Sequence, residues 1–313
     1  MDFPPDSEAG AFAGQNLRWQ FAAAAGIILG VVLLTPLVVG LVALVAGHPF
    51  DLGALFGGYD GVPPWTVLVG RVTTAVLALV AYLVVVARVG RIPGVGFIAP
   101  RDGGVRSVGG GLTRIIAGFV LGTAVLLVVI GGMVALGGAS LQPGRLTSVV
   151  LLAVASGLAA GLWEEVAYRG IVQRVLHGWM GWWQGYLFTI VFFGFAHYAG
   201  DLWQTLAITL QAGTLLGAIW LATRRLWVCI GYHVAWNAMQ DVLFSTDVGG
   251  GFWRLDRHDQ GWITGGASGI EVSLLTNIVC LALTAVFLYV AHRRGFLRPL
   301  DVAPGSATSQ RGR

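Results

Sequence analysis

The chain has 313 residues, of which 56% are hydrophobic and only 11% are charged, and its formal net charge is +4. Soluble domains carry about 25% charged residues, so this composition excludes an ordinary soluble protein and indicates an integral membrane protein. Every basic residue is an arginine, and most arginines lie between apolar stretches, where they set topology, so we predict no nucleic-acid partner. The two cysteines, Cys229 and Cys280, lie inside apolar stretches without metal-binding spacing.

Eight apolar stretches approach the length of about 20 residues that a helix needs to cross a bilayer. In chain order they are residues 19–46, 65–87, 112–136, 146–176, 182–197, 202–223, 226–244 and 270–292. We therefore predict an all-α fold, a polytopic membrane bundle of about eight transmembrane helices. The chain has 47 glycines, which suit close helix packing in lipid.

The stretches divide the chain into six predicted parts. Arginines cluster after the second, sixth and eighth stretches, which predicts that both termini lie on the cytoplasmic side of the plasma membrane. The parts are a cytoplasmic N-terminal segment (1–18), three helices with a mobile Gly/Arg-rich loop at 88–111 (19–145), a core that carries the polar motifs (146–244), an outer loop (245–269), a last helix (270–292) and a disordered cytoplasmic tail (293–313).

Two adjacent glutamates, Glu164 and Glu165, lie in the middle of the fourth stretch, although the chain has only four glutamates. A charge at the bilayer centre costs roughly 2.5 to 3.5 kcal/mol on insertion scales, so the pair needs partners or a function. On a helix, Glu165 faces Arg169 four residues later, whereas Glu164 points about 100° away. We therefore predict that Glu165 and Arg169 organise a site and that Glu164 is available as a general base.

Two later stretches contain histidines at candidate site positions. His233 and Asn237, four residues apart in the seventh stretch, share a helix face and suit the stabilisation of negative charge on a carbonyl oxygen. Glu164 and His197 are nearly equidistant from a turn near 178–181, so they should meet across a helical hairpin. His233 lies closer to its own turn, and a straight helix would place it about 12 Å shallower.

Together these clusters resemble the CAAX-protease and bacteriocin-processing family of intramembrane endopeptidases, which includes the CAAX prenyl endopeptidases. The resemblance rests on three motifs in order, on separate predicted helices, over about a third of the chain. They are Glu164-Glu165-xxx-Arg169, Phe193-xxx-His197 and His233-xxx-Asn237.

The resemblance implies hydrolysis of peptide bonds in membrane-associated protein or peptide substrates. In the family, the first glutamate, here Glu164, and the histidine of the second motif, here His197, activate the attacking water. The two residues of the third motif polarise the scissile carbonyl, and the second glutamate and the arginine of the first motif organise the site. These family roles agree with the division between the two glutamates that helix spacing predicts.

The cofactor requirement stays open at the level of sequence. Glu164, His197 and His233 would supply the two histidines and one carboxylate of a catalytic zinc site. The chain has no HExxH motif, however, and with Glu164 as a ligand no separate base would be evident. We slightly favour a metal-free mechanism in which Glu164 is the base, and we keep zinc as the alternative.

Other functions remain open as alternatives. The chain could be a non-proteolytic membrane scaffold or immunity protein of the same family, or a proton-coupled transporter, since buried acids and histidines occur there too. Transporters often contain internal repeats, and we find none here. A rhomboid-like serine mechanism at Ser268 fails on distance, because the only later histidine, His292, would lie about 36 Å along the same helix.

Overall fold

The computed structural model describes residues 105–297 apart from short gaps, together with some positions between residues 26 and 80. The gaps are 148, 174–175, 178–179, 198–200, 246–249 and 259–260. Our predictions for the N-terminal segment and for the tail beyond 297 lie outside the described residues. Those for the first two membrane helices lie largely outside them.

Eight α-helices and two short strands have both ends within the described parts of residues 105–297. They are α1 Val105–Ala135, β1 Ala139–Pro143, α2 Val149–Glu165, α3 Trp182–Phe195, α4 Leu202–Ile208, α5 Thr214–Thr223, α6 Leu226–Phe244, β2 Trp253–Arg257, α7 Gly261–Thr264 and α8 Leu274–Arg293. Two π-helical stretches interrupt the α-helices: Val166–Gln173 extends α2, and Thr209–Gly213 joins α4 to α5.

The membrane-spanning character of the bundle is clear in four helical segments. Gly111–Ala135, Val150–Gly170, Leu202–Thr223 and Leu274–Arg293 are long and apolar enough to cross a bilayer. Helix α3 has only 14 residues, and α6 carries His233, Asn237, Gln240 and Asp241 among its 19 residues. The all-α, polytopic membrane fold is therefore confirmed, and the total of about eight crossings stays a prediction.

Two predicted boundaries are wrong. Residues 105–111 belong to α1 and not to the loop 88–111, because Gly111 faces the Trp227 ring, where a Cβ would lie 3.3 Å from ring atoms. The glycines that predicted a loop allow close contact instead. The last helix begins at Leu274 and not at residue 270, because Ser273 caps it by accepting a hydrogen bond from the Thr276 backbone N–H.

Helix α6 lies at the centre of the bundle, against α1 on one side and α2 on the other. Glycines bring the α1 and α6 backbones together: a Cβ on Gly122 would lie 2.6 Å from the carbonyl oxygen of Tyr232. Gly231 of α6 meets the backbone of Ile115 in the same way. Because no side chain separates the two helices at these points, α6 is held at one height against α1.

The contact between α2 and α6 follows the same rule. A Cβ on Gly161 would lie 2.9 Å from the backbone nitrogen of Val234, and one on Gly157 would lie 3.0 Å from that of Ala238. Gly161 precedes Glu165 by one helical turn, and Val234 directly follows His233. This glycine contact therefore sets the register that brings the two glutamates of α2 beside the histidine of α6.

The loop predicted at 245–269 contains a strand and short helices that its sequence did not predict. Strand β2 pairs with β1 in an antiparallel ladder that runs from Ala139 opposite Arg257 to Pro143 opposite Trp253. The ladder joins the end of α1 to the segment before α8. The outer-loop residues Trp253 and Trp262 are exposed, as suits aromatic side chains at a lipid interface.

Candidate active site

Glu165 is the centre of a buried polar network. Its Oε1 accepts a hydrogen bond from Nη1 of Arg169 at 2.9 Å and another from Nδ1 of His233 at 2.8 Å. The side chains of Glu165 and Arg169 are fully buried. The pairing of Glu165 with Arg169 is the one that helix spacing predicted. The link to His233 crosses from α2 to α6, and spacing along one helix could not reveal it.

Arg169 is anchored on three sides. Besides Glu165, it donates from Nη2 to the carbonyl oxygens of Ala212 and Gly213, at 3.4 and 3.5 Å. Its guanidinium carbon lies 4.3 Å from the centroid of the Phe193 ring, a cation–π contact. Both carbonyls belong to the π-helical stretch Thr209–Gly213, and π-helical turns often occur at functional sites. Arg169 therefore links its own helical segment to α3 and to the π-helical stretch between α4 and α5, and it has little freedom to move.

The partner of His233 defines the orientation of its ring. The Glu165 carboxylate, next to the Arg169 cation, acts as an acceptor, so Nδ1 of His233 is the donor of this bond. The other ring nitrogen, Nε2, then faces Glu164, 3.9 Å from its Oε2. Glu165 therefore fixes which edge of the His233 ring is presented to Glu164.

His197 approaches Glu164 from the other side. It lies just beyond the end of α3, and its Nδ1 donates to the carbonyl oxygen of Phe193, one turn earlier, at 2.8 Å. Its ring centroid is 4.5 Å from that of Phe193, and its Nε2 lies 3.5 Å from Oε2 of Glu164. The four-residue spacing of the second motif thus orients the histidine, and Phe193 contacts both His197 and Arg169.

Oε2 of Glu164 lies between the two imidazoles, 3.5 Å from Nε2 of His197 and 3.9 Å from Nε2 of His233. This Oε2 is buried and bonds to no described residue, although both Nε2 atoms point towards it. The side chain of His197 is 32% exposed, against 9% for Glu164 and 8% for His233. The site therefore opens on the His197 side.

The structure also tests the predicted depths. Glu164 and His197 meet across the hairpin, as equal distance from the turn predicted. The expected shallower position of His233 is wrong, because its Nε2 is 3.9 Å from Glu164. Part of the reason is the π-helical stretch Val166–Gln173, whose wider turns advance less per residue than an α-helix.

Asn237 lies one turn beyond His233 on α6 and is partly buried. Its side-chain amide makes no hydrogen bond to any residue within the described ranges, so it is available to a ligand. Every candidate residue of the three motifs is thus found on α2, α6 and the segments that adjoin α2 and α3.

The possible zinc set was tested against the positions of these side chains. Within the described ranges, no group of three or more His, Cys, Asp or Glu side chains is arranged to hold a metal ion. Glu164, His197 and His233 are therefore not arranged as a zinc site in this structure.

One residue near the site, Glu271, was not among the predicted site residues. Oε1 of Glu271, in the short 3₁₀ turn Ile270–Val272, accepts hydrogen bonds from Nε1 of Trp236 at 3.0 Å and Nε2 of Gln240 at 3.4 Å. The signal was present in the sequence, because Glu271 is one of only four glutamates in the chain.

The part of the chain that carries the three motifs matches a known protein family. Residues 146–239 match the family described as Type II CAAX prenyl endopeptidase Rce1-like, which confirms the resemblance read from the motifs. The match covers under a third of the chain and includes all three motifs, and the family is one of proteases. No curated protein matches the chain, and no solved structure matches it.

Proposed function

From the match of residues 146–239 to a family of CAAX prenyl endopeptidases, we propose that the chain is an intramembrane endopeptidase. Its substrates are membrane-associated proteins or peptides, and it cleaves them with water activated by Glu164 and His197. The observation that carries this proposal is the Oε2 atom of Glu164, which accepts no hydrogen bond and lies 3.5 and 3.9 Å from two imidazole nitrogens. A carboxylate held in this way can take a proton from water.

The attacking water belongs between Glu164 and His197. Because Nδ1 of His197 donates to the Phe193 carbonyl, Nε2 of the neutral ring is an acceptor. A water that donates one hydrogen to Oε2 of Glu164 and the other to this Nε2 presents its lone pairs to a substrate carbonyl. The two acceptors are 3.5 Å apart, so one oxygen can lie about 2.8 Å from each of them.

The oxyanion is stabilised by the third motif. This role requires a proton on each ring nitrogen of His233, so that Nδ1–H donates to Glu165 and Nε2–H donates to the developing alkoxide. The Asn237 amide, one turn further along α6, is a second donor. Such donors contribute most when they are fixed in place before the reaction, and Glu165 fixes the His233 ring.

Proton transfers complete the cycle. Water attacks the carbonyl carbon as Glu164 takes its proton, which gives a tetrahedral intermediate. Glu164 then returns this proton to the leaving nitrogen, the C–N bond breaks, and a carboxylic acid and an amine leave. Glu165 cannot exchange roles with Glu164, because its Oε1 is already bonded to Arg169 and His233.

The proposal includes the setting of the site. The catalytic core is residues 146–244, in a multi-pass protein of the plasma membrane with both termini cytoplasmic. The substrate reaches Glu164 from the side of His197, which is the most exposed of the three residues around the proposed water.

Peptide cleavage by the purified protein in detergent tests the proposal. We expect the wild type to cleave members of a peptide library, and we expect Glu164→Ala and His197→Ala to lose this activity while still folding. Equal activity in all three proteins would overturn the assignment.

Stoichiometric zinc, lost together with activity on treatment with a chelator, would contradict the metal-free step. Flux of a solute into liposomes without cleavage would favour the transporter alternative, and folded protein with neither activity would favour the scaffold.

A further inference from the structure

Glu271 is a carboxylate beside the site to which the proposed mechanism gives no task. It lies in the turn Ile270–Val272 directly before α8 and is partly buried. Its Oε1 accepts hydrogen bonds from the side chains of Trp236 and Gln240 on α6. These bonds hold the carboxylate against the same helix that carries His233 and Asn237.

The contacts of Glu271 place it at the open edge of the site. Trp236 directly precedes Asn237, and Gln240 follows it by three residues, so the carboxylate lies at the level of the Asn237 amide. The turn that carries Glu271 also contacts α4, the helix that follows His197. Glu271 therefore lies beside the part of α6 that carries Asn237, next to the helix that follows His197.

The charge of Glu271 has no counter-ion within the described ranges. Both of its hydrogen-bond donors are neutral, both bond to Oε1, and no described arginine or histidine lies within ion-pair distance of it. Glu165, in contrast, is fully buried and is paired with the Arg169 cation. A partly buried carboxylate that accepts hydrogen bonds only from neutral donors keeps a charge without a paired cation, and burial of such a charge is costly. A cationic group from a bound ligand would supply that partner.

We propose that Glu271 forms a subsite for a cationic side chain, lysine or arginine, that lies near the scissile bond of a peptide substrate. The inference rests on the proposed function and adds a substrate class to it: apolar peptides that carry one basic residue within a few positions of the cleaved bond. Trp236 and Gln240 fix one carboxylate oxygen, which leaves Oε2 for the cation.

A purely structural role makes a different prediction, and one substitution separates the two. In Glu271→Gln, the amide oxygen can still accept from Trp236 and Gln240, so the bonds to α6 remain while the charge is lost. A structural carboxylate would tolerate this change with any peptide. A cation subsite would lose its preference for basic peptides.

The test compares peptides in which a lysine, or norleucine as its uncharged counterpart, is moved one position at a time through an apolar sequence. At the preferred position, we expect wild-type kcat/KM to favour lysine over norleucine, and we expect Glu271→Gln to reduce this ratio about tenfold, as for a partly desolvated ion pair. The matched control is Asp256→Asn, which removes an exposed charge paired with Arg254 on β2. It should leave the ratio unchanged. A wild type without a lysine preference, or a ratio that Glu271→Gln does not alter, overturns the inference.

A binding measurement tests the subsite independently of whether the protein cleaves peptides. The dissociation constants of the same fluorescent peptides are measured on Glu164→Gln, with and without Glu271→Gln, where no turnover is needed. A lysine preference that disappears with Glu271→Gln supports the subsite even if the wild type cleaves no peptide. Cleavage by the wild type, with equal binding of lysine and norleucine peptides, supports the protease and overturns the subsite.

Discussion

Nδ1 of His233 and Nη1 of Arg169 both donate to one oxygen of Glu165, at 2.8 and 2.9 Å, and Glu165 has no exposed surface. The residue next to it in sequence, Glu164, has a buried Oε2 that accepts no hydrogen bond. The two adjacent acids therefore differ in what surrounds them. One fixes a cation and a histidine, and the other faces two imidazole nitrogens with its lone pairs unused.

This difference predicts opposite outcomes for the same substitution at neighbouring positions. Glu164→Gln removes the proposed base but breaks no hydrogen bond from Oε2 to a described residue, so we expect activity to fall by about a hundredfold or more while the thermal unfolding midpoint stays close to that of the wild type. Glu165→Gln weakens the bonds to Arg169 and His233 and should lower both activity and midpoint. Cleavage assays and thermal unfolding in the same detergent measure both. Equal loss of midpoint in the two variants would contradict the assignment of their roles.

The Glu165–Arg169 pair predicts a non-additive effect on stability. Removal of one partner from a buried pair leaves an uncompensated charge and costs on the order of 3–5 kcal/mol. We therefore expect Arg169→Met to be strongly destabilised and the double variant Glu165→Gln/Arg169→Met to be less so than the sum of the two single changes. A double-mutant cycle of unfolding free energies measures this coupling. Additive losses would show that the pair does not act as a unit.

Spacing along single helices was enough to predict which candidate residues lie together on α2 and across the hairpin. It placed Glu165 opposite Arg169 and left Glu164 free, and hairpin symmetry brought His197 to Glu164. Spacing along one helix could not predict how the helices are positioned relative to one another. The height of His233 depends on π-helical turns and on contacts at Gly157 and Gly161, and neither follows from the periodicity of apolar residues.

Contacts between distant segments also explain why the β1–β2 pairing and the contacts of Glu271 were not predicted. The pairing of β1 with β2 joins residues more than a hundred positions apart, in segments too short to show a strand pattern. Glu271 gains its significance from Trp236 and Gln240 on another helix. Local sequence cannot show that these three side chains meet.

The contacts of Phe193 predict that substitutions at the adjacent residues Phe193 and Phe192 have different effects on activity. Its ring contacts the Arg169 guanidinium and the His197 ring, whereas the adjacent Phe192 is 47% exposed. We expect Phe193→Leu to lower kcat about tenfold, since loss of the cation–π contact and of the ring beside His197 together remove roughly 1–2 kcal/mol. Phe192→Leu is the control and should change kcat little. Steady-state kinetics on one peptide compares them, and equal effects would remove Phe193 from the site.

The glycine contact between α2 and α6 predicts that a residue outside the motifs controls activity. In Gly161→Ala, the new Cβ would lie 2.6 Å from Cγ2 and 2.9 Å from the backbone nitrogen of Val234, so the two helices must separate. Overpacking of this kind costs about 1–3 kcal/mol. Because Glu165 lies one turn away, the separation should also lengthen its bond to His233. We expect both the unfolding midpoint and kcat to fall.

Gly131→Ala on α1 is the matched control for this change. A Cβ at Gly131 would meet no atom within 4 Å, so alanine there should leave activity unchanged and stabilise the helix by roughly 0.5–1 kcal/mol. The pair of variants shares one chemical change and differs only in the space around it. If Gly161→Ala retains the kcat of Gly131→Ala, the spacing of α2 and α6 does not set the geometry between Glu165 and His233. If kcat falls for Gly161→Ala alone, the helix contact is part of what positions the site.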